Sequence, residues 1–132
     1  MGQIAAKQGD KIVAVDTHIV MVQVGSSLVP TPLPHPFSGI LRGSLSSNVN
    51  IMGLPAATVG STADNTPAHA PTPPGINFQK PPANRGTVKI GSQSVYINGK
   101  AAARNGDIAE TCNDPADLPI GTVIAVGTVL IG

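Results

Sequence analysis

Residues 95–107 of this 132-residue chain read VYINGKAAARNGD. The first four residues have the alternation of a short β-strand, and Gly99 then provides a position that tolerates the positive φ of a tight turn. An Ala-Ala pair follows, and Gly106 turns the chain a second time. The stretch therefore predicts one small unit that consists of a strand, a glycine turn and an Ala-Ala motif.

The same unit recurs along the chain. The Ala-Ala motif is AARNGD at residues 102–107, AAKQGD at residues 5–10 and AATVGS at residues 56–61, with spacings of 51 and 46 residues. The preceding strand repeats as well, because VNIMG at residues 49–53 aligns with VYING at residues 95–99 at the same offset of 46. Repetition of one supersecondary unit predicts a domain with threefold pseudo-symmetry.

The rest of the chain favours a single, mostly β domain of short strands and hairpins over residues 1–132. Small aliphatic and β-branched side chains must form its core, because the sequence has no Trp, one Tyr and two Phe. Fifteen glycines and thirteen prolines require many turns. The runs that predict strands span residues 11–15, 19–24, 48–52, 87–90, 94–98, 122–126 and 128–131.

Two proline-rich segments, residues 30–36 and 66–84, interrupt these runs. Proline lacks the N–H group of a sheet ladder, so we expect both segments to be extended connecting loops, partly of the polyproline II type, without strand pairing. Each contains one histidine beside or near a proline, His35 in the first and His69 in the second. Proline limits the freedom of the backbone, which lowers the entropic cost of holding a ligand in place.

Charge and hydropathy exclude several functional classes. The formal net charge is +1 and the lysines are spread along the chain, so no phosphate-binding stripe is present. The longest apolar runs are far shorter than the roughly 20 residues of a membrane-spanning helix. The N-terminal residues lack the pattern of a secretory signal peptide, and the single cysteine cannot form an intramolecular disulfide. We therefore expect neither nucleic-acid binding nor stable membrane insertion.

The histidines and the cysteine are phased to the repeat. His18 and His69 each lie eight residues after the last position of a motif copy, and Cys112 lies five residues after the last position of the third copy. His35, outside this register, completes the supply of His and Cys. Three imidazoles and one thiolate satisfy the tetrahedral coordination of zinc. We predict that His18, His35, His69 and Cys112 bind one zinc ion.

Four protein ligands are typical of a structural zinc site, whereas a catalytic zinc keeps an open position. Asp16 and Glu110 lie two residues from His18 and Cys112, where they suit hydrogen bonds to the ligands or the role of a base. The chain has no Gly-x-Ser-x-Gly, no His-Glu-x-x-His and no phosphate-cradling glycine loop. We therefore expect no catalytic residues and no enzymatic activity.

The repeat at residues 95–107 resembles the signature of PAAR proteins, a family named for a Pro-Ala-Ala-Arg motif. The third copy keeps the arginine, Arg104, and has alanine in place of the proline. The second copy keeps the proline, Pro55, and has threonine in place of the arginine. The three copies and their flanking strands extend the resemblance over residues 1–132. We therefore expect a bare tip without the toxin or transport domain that many relatives carry.

The resemblance implies a small conical domain that caps the trimeric valine-glycine-repeat spike of a contractile injection system, with one tip per trimer. Such systems include type VI secretion systems, extracellular phage-tail-like particles and contractile phage tails. The resemblance also implies a structural zinc near the apex, held by three histidines and one cysteine. These match His18, His69 and Cys112 by repeat position, with His35 as the remaining candidate.

The same resemblance implies how the tip works. The wide base docks on the spike, and we expect residues 122–131 and the strand near Ile4 to lie close to it, because their apolar runs need a covered surface. The apex leads puncture of the target cell envelope. The protein is expected in the bacterial cytoplasm during assembly and then at the tip of the injection particle, with effectors as further partners.

Two other functions stay open on the residues alone. The first is a small zinc-dependent hydrolase that uses the three histidines as ligands, leaves Cys112 inert and takes Asp16 or Glu110 as its base. The second is a metal-free β adaptor module whose repeats only build strands. Use of Cys112 as a nucleophile has no supporting signature around it. Whether Cys112 binds the metal distinguishes the closed site from the hydrolase.

Overall fold

The computed structural model describes residues 2–132, and within that range the chain forms β-strands and no helix. The prediction of a mostly β domain is confirmed. None of the described residues belongs to a helix that could cross a membrane. The strands are β1 (Gln3–Ile4), β2 (Lys11–Val24), β3 (Ser27–Gly43), β4 (Asn50–Ile51), β5 (Leu54–Pro55), β6 (Thr62–Asn65), β7 (Gly75–Phe78), β8 (Arg85–Val88), β9 (Tyr96–Ile97), β10 (Lys100–Ala101), β11 (Ile108–Thr111), β12 (Leu118–Ile124) and β13 (Leu130–Ile131).

Six of these strands form a sheet that closes on itself. Each Ala-Ala motif is followed by an antiparallel pair, and the three pairs are β2–β3, β6–β8 and β11–β12. Neighbouring pairs are joined by β3–β6, β8–β11 and β12–β2, the last of which completes the closure. These three strand pairings have the same register. In each, two fully buried residues lie opposite one another, namely Leu41↔Ala63, Val88↔Ala109 and Val123↔Ile12.

The closed sheet is narrow because each antiparallel pair places a glycine opposite a core residue. A Cβ atom on Gly121 would lie 2.9 Å from Cγ2 of Thr111 and 3.0 Å from the carbonyl oxygen of Ala109. Strands can approach this closely only where no side chain intervenes. The equivalent glycine pairs are Gly39 with Ile12, Gly86 with Ala63 and Gly121 with Ala109.

At the end of the closed sheet where β2 begins, the three Ala-Ala motifs bind one another in a ring. The Ala6 N–H donates to the carbonyl oxygen of Ala103 at 2.9 Å, the Ala57 N–H to that of Ala6 at 3.0 Å, and the Ala103 N–H to that of Ala57 at 3.0 Å. All three alanines are fully buried. Because backbones meet at the centre of the molecule, only a small side chain fits there.

Three short hairpins lie next to this ring, namely β4–β5, β9–β10 and β13–β1. The first two turn at residues with positive φ, Met52-Gly53 and Asn98-Gly99. The third hairpin is assembled from strands near the two ends of the described chain, with Ile131 opposite Gln3. One copy of the repeat is therefore split, and β13 supplies the strand that precedes the first Ala-Ala motif in space.

The first proline-rich segment, residues 30–36, pairs with β2 along its whole length, so our prediction of an unpaired connection was wrong. Its prolines occupy every second position of β3, and the residues between them supply the N–H groups that face β2. The even-numbered positions point the other way, as the Ser38 N–H shows by donating to Oδ1 of Asn65 on β6. No hydrogen bond between β2 and β3 is therefore lost to proline.

Two further expectations also differ from the structure. The second proline-rich segment, residues 66–84, contains β7, which pairs with β2. In addition, β2 runs without a break through Asp16 and His18, which we expected to separate two strands. These polar residues take inward-facing positions of the strand, so they interrupt the hydrophobic alternation without interrupting the strand.

Candidate metal centre

The closed sheet gathers ionisable side chains in its interior, at the end away from the Ala-Ala ring. Asp16 and His18 both face inward because they are two residues apart on β2. His69 lies in the connection between β6 and β7, and Cys112 directly follows β11. One ligand atom from each of the four residues lies within 4.8 Å of the others, and each side chain is at most 2 % exposed. This group could hold a metal ion.

Asp16 is the central hydrogen-bond acceptor of the group. Its Oδ2 accepts from Nε2 of His69 at 2.9 Å and from Sγ of Cys112 at 3.4 Å. Its Oδ1 accepts from Oγ1 of Thr111 at 2.5 Å. The proton of His69 is assigned to Nε2 because Nδ1 accepts from Nδ2 of Asn65 at 3.2 Å. One imidazole proton and one thiol proton thus point at a single carboxylate. A cation that replaced these two protons would bind the same three side chains.

His18 is buried without a hydrogen bond from either ring nitrogen to any of residues 2–132. Oδ2 of Asp114 lies 3.4 Å from Nδ1 but does not complete a hydrogen bond. A buried polar group without a partner costs about 1–3 kcal/mol. A metal ion bound beside the His69 imidazole and the Cys112 thiol would give the His18 ring the partner that it lacks.

Burial sets the protonation of two donors. It lowers the pKa of His18, because the charged imidazolium loses its hydration. It raises the pKa of the Cys112 thiol to about 11, and the neighbouring Asp16 carboxylate adds to that rise. A thiol with such a pKa is a poor nucleophile, which argues against covalent catalysis. Coordination to a cation is the interaction that would convert it to a thiolate.

His35 lies beside this group, but both of its ring nitrogens are engaged elsewhere. Nδ1–H donates to the carbonyl oxygen of Leu33 at 2.8 Å, and Nε2 accepts from the N–H of Thr72 at 3.1 Å. Burial lowers the pKa of His35 as well. The structure therefore brings together three of the four ligands predicted from the sequence and places Asp16, in addition, among the donors. The assignment of His35 as a ligand stays a prediction.

The three imidazole rings nevertheless surround one point. Their centroids are 5.0 Å apart for His18 and His69, and 5.5 Å apart for each of these with His35. Three imidazoles that share one tetrahedral zinc, at Zn–N distances of about 2.1 Å, have centroids roughly 5 Å apart. Phe78 packs 5.3 Å from the His35 ring and Phe37 packs 6.1 Å from the His69 ring. A turn of the His35 ring away from Thr72 would complete the predicted set.

An asparagine fixes the loop that carries His69. Oδ1 of Asn84 accepts the backbone N–H of His69 at 2.8 Å and Nδ2 of Asn65 at 3.3 Å. Asn84 has a φ of 56°, a conformation that asparagine tolerates better than most residues. The same two asparagines therefore orient both the backbone and the ring of His69.

The loop after Cys112 is tied to β2 on either side of His18. Oδ1 of Asn113 accepts the backbone N–H of Thr17 at 2.7 Å, and Oδ2 of Asp114 accepts that of Ile19 at 2.9 Å. The Asp114 N–H in turn donates to the carbonyl oxygen of Thr17 at 2.9 Å. These bonds hold the sulfur donor against the strand that carries the first imidazole donor.

A cavity of about 370 Å³ opens beside the group. Its lining includes His35 and His69 together with residues 66–68, and does not include Asp16, His18 or Cys112. The deeper donors are therefore set back from the opening. This arrangement favours a closed structural site over a catalytic one, which would present the ion to a cleft.

Sequence reasoning gave Asp16 only a supporting role. The signal that it missed is the spacing of two between Asp16 and His18, which puts both side chains on one face of a strand. Glu110, the other carboxylate considered, lies outside the group. Its Oε1 is 3.6 Å from Nζ of Lys89 in a partly exposed ion pair.

A scan against protein-family models finds no match for this chain, and a search of curated proteins finds none either. The resemblance to PAAR proteins therefore stays a prediction from the repeat residues. The ring and the buried donor group are the features of this structure from which a function can be inferred.

Proposed function

We propose that this protein is the tip of a contractile injection system, where it caps a trimeric valine-glycine-repeat spike and leads puncture of the target cell envelope. The observation that carries the proposal is the ring of Ala6, Ala57 and Ala103, in which one chain makes three equivalent backbone links. A single chain with threefold pseudo-symmetry offers a similar surface to each of three identical spike chains. It can therefore close a trimeric end with one copy.

The spike would bind at the ring end, which we define as the hairpins β4–β5, β9–β10 and β13–β1 with residues 125–128. A trimeric β-helix ends in unpaired strand edges, which a β domain can cover. Large apolar side chains grouped at one end of a domain favour a surface that a partner covers. The ring end exposes Met52 (52 %), Tyr96 (61 %), Val126 (67 %) and Leu130 (60 %).

We propose zinc as the metal, bound by His18, His69 and Cys112, with His35 or Asp16 as the fourth ligand. Zinc accepts nitrogen, sulfur and oxygen donors in one tetrahedral site, whereas calcium and magnesium require oxygen donors. His18 lies on β2, His69 lies in the β6–β7 connection, and Cys112 directly follows β11. Each follows a different Ala-Ala motif, so the ion would join all three repeats at one end as the ring joins them at the other.

The role proposed is mechanical, with no enzymatic activity. A site that ties three repeats together stiffens the end of the molecule that has few core residues, which suits a part driven by force. The protein would assemble in the bacterial cytoplasm and leave with the particle, with effectors as further partners. A zinc hydrolase would need the ion to be open to the cavity beside His35 and His69, and that cavity is not lined by His18 or Cys112.

Binding to a spike tests the proposal. The purified chain is mixed with the trimeric valine-glycine-repeat protein encoded in the same genome, and the mass of the complex is measured by native mass spectrometry. We expect one copy of this chain per spike trimer. A failure to bind, or three copies per trimer, would contradict a pseudo-threefold cap.

A matched pair of variants locates the binding surface. Leu130→Asp places a charge at the ring end, and Ile76→Asp places one at a residue of similar exposure, 56 % against 60 %, on β7. We expect Leu130→Asp to weaken spike binding by roughly tenfold or more, because a desolvated charge opposes docking. Ile76→Asp should bind as the unmodified chain does. Equal affinities of the two variants would exclude the ring end as the docking surface.

A further inference from the structure

Strands β2 and β3 continue past the metal centre as a hairpin, which β7 borders on the β2 side as far as Val22. Their pairing extends to Val24 opposite Ser27, whereas the other strands of the closed sheet stop short of this point. We term residues 21–31 the hairpin end. Its large exposed apolar side chains are Val24 (59 %), Leu28 (46 %) and Val29 (41 %). The exposed polar side chain of Gln23 lies among them, and its Nε2 donates to the carbonyl oxygen of Gly25 at 3.1 Å.

Apolar side chains lie on both faces of the hairpin end. Leu28 and Val29 are adjacent in β3, so they point to opposite faces. Val22 is the cross-strand partner of Val29, which extends the apolar surface on that face. A hairpin that packs against a protein surface usually has one apolar and one polar face. On the Leu28 face the cross-strand partner is Gln23, whose amide donates to the hairpin's own backbone. A hairpin with apolar side chains on both faces and its polar amide bonded internally suits contact with an apolar medium.

The hairpin end also lacks charge. Residues 17–41 contain no Asp, Glu, Lys or Arg, and the turn itself is formed by Gly25 and Ser26. Charged side chains are the groups that most oppose entry into hydrocarbon. An uncharged end gives no electrostatic means to recognise an acidic or basic protein surface.

The outer edge of β3 is closed to strand addition. The even-numbered residues direct their backbone groups away from β2, and positions 30, 32, 34 and 36 are all proline, so four successive outward positions have no N–H donor. The outward carbonyl oxygen of Pro34 accepts a hydrogen bond from Oγ1 of Thr72 at 2.7 Å. A partner strand could not pair with this edge. In lipid, the same edge would leave few backbone donors unsatisfied.

We propose that the hairpin end is a lipid-contacting element, which inserts Val24, Leu28 and Val29 shallowly and reversibly into the acyl region of a bilayer. The exposed apolar side chains on both faces, the lack of charge and the proline edge together favour lipid over a protein partner. This inference rests on the proposed function, because a spike tip would carry the hairpin end to a membrane. Recognition depends on hydrocarbon and not on headgroup charge.

Tryptophan fluorescence tests the contact, because the chain has no tryptophan of its own. Leu28→Trp reports on the hairpin end, and Val126→Trp, at an exposed site of the ring end, is the matched control. Each is mixed with unilamellar phosphatidylcholine vesicles. We expect a blue shift of the emission for Leu28→Trp alone, with a partition coefficient that changes less than about twofold when phosphatidylglycerol is included.

Four outcomes would overturn the proposal. They are no shift for Leu28→Trp, equal shifts for both variants, a shift that requires the anionic lipid, and a shift that appears with rising protein concentration without vesicles. The last would identify a second copy of the chain as the occupant of the hairpin end.

A second pair of variants tests whether the location of an added charge, and not its exposure, decides vesicle binding. Val24→Asp and Val15→Asp place a charge on the same strand at residues of similar exposure, 59 % and 62 %. In the Leu28→Trp background we expect Val24→Asp to lower vesicle partitioning by roughly tenfold, and Val15→Asp to leave it unchanged. Equal effects of the two substitutions would contradict insertion of the hairpin end.

Spike binding is measured on the same preparations, so that the two proposals can fail separately. A chain that binds the spike trimer but not the vesicles overturns the lipid contact alone. A chain that binds the vesicles but not the spike overturns the proposed function alone.

Discussion

The backbone N–H of Ala57 donates a hydrogen bond to the carbonyl oxygen of Ala6 at 3.0 Å, although 51 positions separate the two residues in sequence. Ala103 repeats this relationship with Ala57, and Ala6 repeats it with Ala103. Displacement of any one of the three residues breaks two of the three links. Cooperative stability of the domain should therefore depend strongly on this ring.

Enlarging one ring alanine tests that dependence. Ala57 is fully buried, so Ala57→Leu must force the motifs apart, and we expect it to cost about 1–3 kcal/mol in the free energy of unfolding. Ala83→Leu, at an exposed position, should change stability by less than about 0.5 kcal/mol. The comparison uses urea unfolding midpoints, and equal midpoints for the two variants would show that the ring does not control stability.

The split third hairpin predicts that the chain can be circularly permuted. Because Ile131 already pairs with Gln3, a short linker can join the two ends, and new ends can be placed between Met52 and Gly53 in the equivalent turn of another repeat. We expect this permutant to fold and to unfold cooperatively, with unchanged metal content.

The control permutant opens between Gly60 and Ser61, inside the second Ala-Ala motif. This opening separates Ser61 from Thr58, whose N–H donates to Oγ of Ser61 at 3.0 Å. It should fail to fold. Two permutants of equal stability would mean that the three repeats are not separate units.

The second motif copy replaces an ion pair with a hydroxyl. Lys7 pairs with Asp10 at 3.2 Å and Arg104 with Asp107 at 2.8 Å, and the bonds to Asp107 raise the pKa of Arg104. In the second copy, Oγ of Ser61 donates to the carbonyl oxygen of Ser44 at 2.9 Å, and a cavity of about 230 Å³ lies beside Thr58. Ser46, Asn98 and Lys100 also line this cavity.

We expect Ser61→Ala to cost about 1–3 kcal/mol in unfolding free energy, because it leaves the Thr58 N–H and the Ser44 carbonyl without a partner. The double variant Thr58→Arg with Ser61→Asp should recover most of that loss, since the cavity has room for the longer side chain. Ser47→Ala, at an exposed position, is the control. If the double variant is less stable than Ser61→Ala, the motif copies are not interchangeable.

Much of the ring end could be predicted from sequence because its elements are local and repeated. A strand, a glycine turn and an Ala-Ala pair lie within 13 residues, and their physical requirements are visible in residue type. The convergence of His18 and His69 followed from their equal phase in the repeat, since equivalent positions of a closed threefold fold lie near one another. Cys112 lies three positions earlier in its own copy and still reaches the same group.

The rest depended on long-range context. The prolines of residues 30–36 predicted an unpaired segment, because the sequence does not show which neighbour each N–H would face. Strands β6 and β11 were not predicted, since each has four residues and small side chains such as Ala63 and Ala109. Asp16 was treated as an accessory to the ligands because a carboxylate on a strand is more often solvated than buried.

Removal of the metal should destabilise the chain. A ligand that binds only the folded state adds about 4 kcal/mol at a thousandfold excess over its dissociation constant, so chelation with EDTA should lower the melting temperature by on the order of 10 °C. His18→Ala is the control, because a chain that already lacks an essential ligand should melt at the same temperature with and without the chelator. An unmodified chain that is insensitive to EDTA would support the metal-free adaptor.

Two substitutions identify the fourth ligand. Asp16 is favoured because its carboxylate oxygen lies within 4.8 Å of the ligand atoms of His18, His69 and Cys112. His35 is favoured because its ring and those of His18 and His69 have the centroid spacing of three imidazoles on one zinc ion. We expect zinc to be lost from only one of Asp16→Asn and His35→Ala, measured as bound metal per chain after dialysis. Retention of zinc by both variants would contradict a site closed by four protein ligands.

The central claim is that the repeat-phased donors bind one zinc ion through Cys112, and zinc-edge X-ray absorption on the purified chain tests it most directly. The account predicts one zinc per chain with one sulfur neighbour, and Cys112→Ser should lose that neighbour. A chain that binds no metal, or a zinc ion with only nitrogen and oxygen neighbours, would contradict it.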